Sequence, residues 1–463
     1  MAYQKYIPVR YSSQYYIYDC LRKWLYPCSK VIYEYFFNID QLEFSKIDFS
    51  NQEKKEIRKF KQMLSLINEE MRKDLFIYPE IKKEDIIKSL SCVPHIVLEL
   101  TESCNLDCVY CCYGNLYKNN KIHKSKGRKS DILFYLKTLL NLRNQYNNKS
   151  DLHITFYGGE PLLCFNIIKE CVELVNKLMP EINVSFGMTT NGILLHRYLD
   201  YLVEHNFSLF ISIDGNRKNN EYRIKKNGAE SFPFVERNIE ILFKRHHDYF
   251  MKKVSFSTVL HHKNNYIDAT EFFSRWNKVP LFSKVSSSNA KQNNKYREVS
   301  QQHHYTDNEI EKFRKEFPDI SEKLFPTNHG NLSTWSDSEL SVFDSFCEIQ
   351  KEENQIYSGK SCFLFSSRVF ITIEGGIYLC EKSSRKYLFG KIGKKGIIIY
   401  LKRINQYYTS IVNSFNKICV NCYKSCTCSK CFFSDRDEIE EEKCICSKKQ
   451  AIEEIDYIMN PKK

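Results

Sequence analysis

Three cysteines with a short, regular spacing are the residues of this chain most suited to chemistry. Cys104, Cys108 and Cys111 form a CxxxCxxC pattern within eight residues. Three thiolates at this spacing can hold three irons of a [4Fe-4S] cube and leave the fourth iron open to a substrate or cofactor. A zinc site is the alternative, because Cys112 could supply the fourth ligand that structural zinc prefers.

A second, denser group of cysteines lies toward the end of the sequence. More than half of the 19 cysteines follow residue 346, and Cys419 and Cys422 form a CxxC pair. The first residues contain no apolar signal segment, so we expect a cytoplasmic chain, where reducing conditions favour metal ligation over disulfides. Zinc ribbons share the CxxC spacing and are the alternative to iron-sulfur clusters in this region.

The elements that must position the first three cysteines are alternating strands and helices. Strand patterns lie at 96–100, 152–157, 183–188, 208–213, 253–260 and 281–285, with helical patterns between them. Such repeats predict an α/β fold, a partial (β/α)6 barrel, with active-site loops at the carboxyl ends of parallel strands. Cys104 follows the first strand by four residues, which places the cysteines at that edge.

The flanking segments predict three further regions around this core, which we assign to residues 93–288. Residues 1–92 predict a small α+β module, with extended pieces at 6–10 and 15–19 and helices from Ser29 onward. Residues 289–346 are polar and predict a bridging insertion with a helix at 310–317. Residues 347–463 form the cysteine-rich end.

Charge and hydropathy exclude some classes of partner. The 463-residue chain has a formal net charge of +13, but its Lys and Arg are dispersed among acidic and amide residues rather than gathered in one block. We therefore expect no nucleic-acid partner. Since no apolar run approaches the length of a membrane span, we expect no membrane partner either.

The segments after the next three strands carry motifs that extend the pattern. Tyr157-Gly158-Gly159-Glu160-Pro161, Thr189-Thr190-Asn191-Gly192 and Ser212-Ile213-Asp214-Gly215 follow the second, third and fourth strands. With the three cysteines, these motifs resemble the radical S-adenosylmethionine (SAM) superfamily. The resemblance implies that the first three cysteines hold a [4Fe-4S] cluster that binds SAM. It also implies a SAM pocket formed by Tyr110, Gly158, Gly159, Glu160, Asn191, Ser212 and Arg223.

The individual roles within that pocket are likewise implied by the resemblance. The GGEP backbone would cradle the SAM amino group, and adjacent glycines do allow a close backbone approach. Ser212 and Arg223 would hold the SAM carboxylate, a pairing that suits a carboxylate. Tyr110 would flank the adenine.

The distal cysteines resemble the SPASM extension of peptide-modifying radical SAM enzymes, which implies two auxiliary [4Fe-4S] clusters. By this likeness the first cluster takes Cys362, Cys380 and Cys431, with Cys347 as a candidate fourth ligand, and the second takes Cys419, Cys422, Cys428 and Cys446. Cys444 is an alternative to Cys446. The gap after Cys428 is two residues where the family usually has three, so Cys426 remains an alternative to Cys428.

The resemblance implies an enzyme that forms a 5′-deoxyadenosyl radical and abstracts hydrogen from a ribosomally made precursor peptide, giving a thioether or carbon-carbon crosslink. Its partners would be that peptide, with a leader held by a PqqD-like module in residues 1–92, and an electron donor such as flavodoxin or ferredoxin. Glu381 follows Cys380 and is a candidate base. The alternatives are a formylglycine-forming sulfatase maturase and a noncatalytic iron-sulfur or zinc scaffold that binds peptide or nucleic acid.

Overall fold

A computed structural model describes residues 6–11, 14–19, 24–38, 48–71, 81–117, 127–286, 290–291, 293–318 and 364–418. Within these ranges, none of the helices combines the length and the apolar character needed to cross a membrane.

The amino-terminal part is a small sheet with two helices. Strands β1 (Tyr6–Tyr11), β2 (Gln14–Asp19) and β3 (Trp24–Cys28) form an antiparallel sheet in the order β1-β2-β3. Helices α1 (Lys30–Asn38) and α2 (Asn51–Met71) follow. The Ser29 hydroxyl accepts a hydrogen bond from the Ile32 amide at 3.3 Å, as expected of a helix cap. A separate core of Ile17, Ile32, Phe36, Phe60 and Leu64 joins sheet and helices.

The sequence analysis did not predict β3 or the next helix, α3 (Lys83–Cys92). Pro27 lies within β3, and proline weakens the signal of a strand because it cannot donate to a ladder. Helix α3 leads directly into the central sheet and packs on the core helix that follows the first central strand.

Six parallel strands, in chain order, form the centre of the molecule. They are β4 (His95–Thr101), β5 (Leu152–Gly158), β6 (Val184–Thr190), β7 (Ser208–Ser212), β8 (Val254–Leu260) and β9 (Leu281–Lys284). The helices between them are α4 (Lys129–Gln145), α5 (Phe165–Leu178), α6 (Leu195–Glu204), α7 (Phe232–Arg245), α8 (His247–Lys253) and α9 (Tyr266–Ser274). The predicted α/β fold with a parallel sheet is confirmed, and each predicted strand lies within two residues of an observed one.

The carboxyl-terminal part extends the same sheet. Helices α10 (Asn294–Ser300) and α11 (Asp307–Glu316) follow β9. Strand β10 (Val369–Ile371) pairs in parallel with β4, and β11 (Gly376–Tyr378), β12 (Gly390–Gly393) and β13 (Gly396–Ile399) continue it as antiparallel strands. Helix α12 (Leu401–Ile418) closes the described part. The sheet order is therefore β13-β12-β11-β10-β4-β5-β6-β7-β8-β9.

The two faces of the parallel sheet differ. Side chains such as Ile154 and Phe156 of β5 point to the helices and are fully buried, whereas the alternating His153, Thr155 and Tyr157 are only partly buried. Side chains alternate between the faces of a strand, so one face is the helix-packed core and the other is an open, largely polar face. We call this second surface the open face.

Candidate functional site

The three cysteines of the CxxxCxxC pattern lie on the loop after β4, at the carboxyl edge of the sheet. The Asp107 amide donates to the Ile224 carbonyl at 2.8 Å, and the Val109 amide donates to the Tyr222 carbonyl at 3.0 Å. A β-bridge joins Leu106 to Lys225. The loop is thus held against the segment after β7 by backbone bonds, which sets its position before any ligand binds.

The structure brings the thiols of Cys104, Cys108 and Cys111 into one electrostatic environment. Burial raises the pKa of Cys104 to about 11 and that of Cys108 to about 12, and neighbouring thiols of the loop add to both shifts. In the metal-free protein these thiols are therefore neutral, and metal binding must release their protons. Across the described ranges, no three His, Cys, Asp or Glu side chains converge as ligands of a single ion. Thiolates that each hold a different iron need no such convergence.

The Gly158-Gly159 turn lies directly against the start of the cysteine loop. Gly158 has φ of +136°, and a Cβ there would lie 2.1 Å from the Thr101 carbonyl oxygen. A Cβ on Gly159 would lie 2.3 Å from the Ser103 carbonyl oxygen. The Gly159 and Glu160 amides donate to the same two carbonyls at 2.7 and 3.0 Å. Only glycine permits this close approach, which packs the ends of β4 and β5 together beside the first cysteine.

Glu160 is fully buried and links the ends of two neighbouring strands. Its carboxylate accepts from the Leu162 amide at 3.1 Å, the Thr190 hydroxyl at 2.8 Å and the Asn191 amide at 2.8 Å. Burial raises the pKa of Glu160 to about 7, and these donors lower it in part. The Glu160 side chain therefore ties the end of β5 to the end of β6. Its predicted role in SAM binding stays a prediction.

Asn191 connects that strand end to the cysteine loop. Its side-chain amide donates to Asn105 Oδ1 at 2.7 Å and lies 3.5 Å from the sulfur of Cys104. The side-chain oxygen accepts from the Ile193 amide at 3.1 Å. Of the residues predicted to bind the cofactor, Asn191 is the one whose side chain reaches a predicted cluster ligand directly.

A buried ion pair lies on the other side of the cysteine loop. Arg223 Nη2 donates to Asp214 Oδ1 at 3.0 Å, and the Tyr110 hydroxyl donates to Asp214 Oδ2. Burial alone would raise the pKa of Asp214, but Arg223, His261 and Tyr110 together outweigh it, and the pKa lies below its usual range. The guanidinium also lies 5.5 Å from the Tyr110 ring centroid. Arg223 Nε is buried and has no hydrogen-bond partner within the described part of the chain.

These positions fit a SAM-binding cluster, with two qualifications. The donor set is three thiols, which iron prefers, and the unpartnered Arg223 Nε is a buried donor beside them. However, Arg223 and the Tyr110 hydroxyl are both committed to Asp214. Ser212 lies at the end of β7, where its partner in the ladder is Ser257. The roles predicted for Arg223, Tyr110 and Ser212 therefore stay predictions.

The candidate base Glu381 lies close to the open face. Arg368 Nη1 is 3.2 Å from Glu381 Oε1 and 3.4 Å from Oε2, and the Glu381 side chain is 12% exposed. The charge of Glu381 contributes to raising the pKa of Tyr157 on β5, although burial is the larger cause. Cys380 lies two residues after β11, with its sulfur 3.5 Å from the Ser383 hydroxyl.

The other predicted auxiliary ligands lie outside the described residues. They are Cys347, Cys362, Cys419, Cys422, Cys428, Cys431 and Cys446, together with the alternatives Cys426 and Cys444. Their assignment stays a prediction.

Several polar residues of the open face were missed by the sequence analysis. His95 Nε2 and Thr155 Oγ1 are 2.8 Å apart, and His153 Nδ1 and Ser185 Oγ are 2.7 Å apart. Burial, with smaller effects of His153 and Arg368, lowers the pKa of His95 to about 3, so the ring is neutral. The available signal was alternation, since polar residues recur at every second position of β5 in Leu-His-Ile-Thr-Phe-Tyr.

Glu99 was also missed. It is 1% exposed in the middle of β4, accepts from the Ile373 amide at 3.2 Å and from Arg385 Nη2 at 3.2 Å, and lies 3.4 Å from the Tyr113 hydroxyl. Burial raises the pKa of Glu99, and Arg385 lowers it in part. A lone carboxylate between the apolar residues Leu98 and Leu100 of a strand was the signal in the sequence.

Comparison with known proteins agrees with this site. Residues 98–274 match the family model of the Radical SAM superfamily. The chain is 31% identical over 162 residues to a cysteine-type anaerobic sulfatase-maturating enzyme of Clostridium novyi, covering 34% of this chain and 41% of the relative. It is 25% identical over 237 residues to the radical SAM cyclopropyl synthase TigE of Paramaledivibacter caminithermalis, covering 47% and 46%.

An uncharacterized protein of Methanocaldococcus jannaschii is 38% identical over 138 residues, which is 30% of this chain and 44% of that protein. The matches thus span less than half the length of these curated relatives. Among solved structures, native anSMEcpe with bound AdoMet superimposes with a TM-score of 0.51 at 19% identity, covering 80% of this chain and 99% of that one. This likeness shows the fold.

The matched residues begin within β4 and end with α9, so they include the cysteine loop and the strand ends described above. The family implies a [4Fe-4S] cluster that binds SAM. Residues 98–274 therefore form a radical SAM domain.

Proposed function

We propose that this chain is a peptide-modifying radical SAM enzyme that matures a ribosomally made precursor peptide by crosslinking. The observation that carries the proposal is the position of the cysteine loop, at the carboxyl edge of the sheet and beside an open polar face. When bound, the cluster and SAM supply a 5′-deoxyadenosyl radical that removes a hydrogen atom from the substrate.

In this proposal Cys104, Cys108 and Cys111 hold the cluster, and the chain positions it from both sides. Asn191 donates toward the sulfur of Cys104, and the ladder to residues 222–225 holds the opposite end of the loop. Gly158, Gly159, Ser212 and the Nε of Arg223 would contact SAM. Glu160 would act by positioning Asn191, because its carboxylate accepts the Asn191 amide.

The open face supports a peptide as the substrate. Its described side chains include hydroxyls and neutral imidazoles, such as Ser185, Thr155 and His95. Groups of this kind can donate to and accept from the amides of an extended peptide without a fixed charge. Glu381 would remove a proton from the substrate, and Arg368 holds its carboxylate in place. Two auxiliary clusters in the cysteine-rich end would accept an electron or bind a substrate thiolate.

SAM cleavage tests the enzyme. Protein reconstituted with iron and sulfide, given SAM and dithionite without oxygen, should release 5′-deoxyadenosine. Cys104→Ser should abolish this release, since all three thiolates are needed to hold the cluster and leave one iron open for SAM. Cys92→Ser is the matched control, because Cys92 is exposed on α3. No deoxyadenosine from fully iron-loaded protein would refute the enzyme proposal.

Mass spectrometry tests the substrate. Co-expression with a precursor peptide encoded beside the gene should lower the peptide mass by about two hydrogens per crosslink, since each new bond replaces two bonds to hydrogen. An unchanged peptide mass, with SAM cleavage intact, would contradict crosslinking while leaving the radical SAM assignment in place.

Formylglycine formation in a sulfatase is the second candidate. It is favoured by the 31% identity to the sulfatase-maturating enzyme of Clostridium novyi, which exceeds the 25% identity to TigE. A peptide with a sulfatase cysteine motif, incubated with the reconstituted protein, distinguishes the two. Conversion of its cysteine to an aldehyde would support sulfatase maturation over crosslinking.

We further propose that residues 1–92 hold the leader of the precursor. Strands β1 and β3 are the edges of the small sheet, so either could receive an extended peptide as an added strand. Because this module has its own core, deleting residues 1–80 should leave SAM cleavage intact and abolish modification of the full precursor. Fluorescence anisotropy with a labelled leader should show binding to the full chain only. Equal binding by the shortened chain would contradict this role.

A further inference from the structure

Asp214 is a buried carboxylate near the cysteine loop, and both of its oxygens have polar partners. It is 0% exposed and lies just after β7. One oxygen accepts from Arg223 Nη2 at 3.0 Å and from the Val259 amide at 3.0 Å. The other accepts from the Tyr110 hydroxyl and lies 3.6 Å from His261 Nε2.

Two features connect Asp214 to the predicted cluster. Tyr110 belongs to the cysteine loop itself, between Cys108 and Cys111, and its ring stacks on His261 with centroids 5.5 Å apart. The Arg223 guanidinium lies 5.5 Å from the centroid of the same Tyr110 ring and pairs with Asp214 at 3.0 Å. The side chains that hold the loop in place therefore also place a buried charge pair against it.

We propose that Asp214 is a positioning residue that fixes Arg223 against the cysteine loop and partly offsets its charge, and that this pair sets the reduction potential of the cluster. Reduction adds one electron to the cluster, so a nearby positive charge stabilises the reduced form and a negative charge opposes it. Inside a water-excluded site such charges act strongly. Arginine stays protonated in proteins, so the charge of Arg223 persists in wild-type protein and in Asp214→Asn.

The proposal makes opposite predictions for the two partners. Asp214→Asn keeps the shape of the side chain and removes its charge, so the cluster should become easier to reduce. Arg223→Gln removes the positive charge, so the cluster should become harder to reduce. The double variant should lie between the two single variants. We expect each single variant to change the ratio of reduced to oxidised cluster at a fixed potential about tenfold, which is 59 mV for a one-electron couple.

The measurement is a redox titration of the cluster without SAM, followed by electron paramagnetic resonance. Leaving SAM out ensures that its contacts with Arg223 play no part. Iron content and circular dichroism establish that each variant is folded and loaded. Asp200→Asn is the matched control, because Asp200 forms an exposed ion pair with Arg245 in the same domain, at 3.0 Å, and should leave the potential unchanged.

Tyr110→Phe separates position from charge. It removes the hydroxyl that donates to Asp214 without changing the net charge, so the potential should stay within the error of the wild-type value. Equal shifts in Tyr110→Phe and Asp214→Asn would overturn the charge-pair proposal in favour of loop geometry alone. Shifts of the same sign in Asp214→Asn and Arg223→Gln would overturn it too.

If Asp214→Asn does not fold, Arg223→Gln still decides, since an unchanged or raised potential would contradict the proposal. The inference rests on the proposed cluster at Cys104, Cys108 and Cys111. If no cluster assembles in wild-type protein, the proposed function fails. If the cluster assembles and cleaves SAM but its reduction potential is unchanged in both Asp214→Asn and Arg223→Gln, only this inference fails.

Discussion

At the scale of single residues, the site is organised by buried polar side chains that reach from one strand end to the next. Glu160, Asn191 and Asp214 are all buried, and each forms hydrogen bonds with a segment distant in the sequence. A buried polar group that is fully hydrogen-bonded specifies one arrangement of its partners, because any other arrangement leaves it unsatisfied. We therefore expect these residues to determine the geometry of the site more than its affinity for the cluster or SAM.

Glu160 predicts a pH dependence of stability. Its pKa in the folded protein is about 7, above the ordinary value of 4.5. Since the raised pKa means that folding favours the protonated form, its contribution to stability is complete below pH 4.5 and is lost as pH rises through 7. The loss amounts to about 3 kcal/mol over that window. The free energy of unfolding, measured in urea from pH 4.5 to 8, should fall with rising pH more steeply in wild-type protein than in Glu160→Gln.

Glu221→Gln is a control of opposite sign. Glu221 is paired with Lys263 at 2.6 Å, and that hydrogen bond lowers its pKa. Its contribution to stability is therefore present at neutral pH and lost as pH falls. If the difference in unfolding free energy between wild-type protein and Glu160→Gln is constant, or rises with pH, the raised pKa of Glu160 is contradicted.

At the scale of elements, the ends of β4 and β5 depend on one tight crossing. Gly158 has a positive φ and lies against the Thr101 carbonyl, at the point where the ladder between the two strands shifts register. The cysteine loop starts three residues after Thr101. Small changes in this crossing are thus transmitted to the first cysteine of the loop.

Gly158→Ala should disrupt this crossing. The new Cβ would lie 2.1 Å from a carbonyl oxygen, and alanine is strained at φ of +136°. Strain of the backbone alone costs about 1–3 kcal/mol, and the clash adds to it. We expect a lower urea midpoint together with reduced iron after reconstitution. Gly393→Ala is the control, since nothing lies within 4 Å of its Cβ and its φ is outside the positive region; equal iron loading in both variants would contradict this account.

At the scale of the whole molecule, the radical SAM core and the described carboxyl-terminal hairpins form one sheet. Strand β10 pairs with β4, and Glu99 of β4 binds both Arg385 and the Ile373 amide across that joint. Arg385 lies 4.8 Å from the Phe370 ring centroid and 5.1 Å from that of Tyr378. The core strand that leads into the cysteine loop is therefore tied to the segment that carries Cys380.

Glu99→Gln should loosen this joint. The substitution removes the charge that Arg385 pairs with and replaces one acceptor oxygen by an amide donor, so one buried donor loses its acceptor, a loss of about 1–3 kcal/mol. Hydrogen exchange followed by mass spectrometry should show faster exchange in 369–399. Glu170→Gln, which removes one partner of the surface pair with Lys129 at 2.8 Å, is the control and should not change exchange there. Unchanged protection in Glu99→Gln would show that strand pairing alone holds the two parts together.

Much of the fold could be predicted from local patterns in the sequence. The alternation of apolar residues located all six parallel strands, because burial of one face requires that period wherever the strand lies. The three cysteines and the Gly158-Gly159 turn were identified because their chemistry depends on near neighbours. Strand β3, which contains Pro27, escaped prediction since its sequence signal is weak.

The sequence by itself therefore determined the class of fold, the positions of the six parallel strands and the loop that can hold a cluster, all of which follow from short-range spacing. Only the tertiary structure decided that β10 lies beside β4, that Glu99 meets Arg385, and that Asp214 gathers Arg223 and Tyr110. Those contacts join residues up to 286 positions apart. Pairings of this kind depend on which surfaces remain to be covered once the whole chain has packed, and no local pattern encodes that.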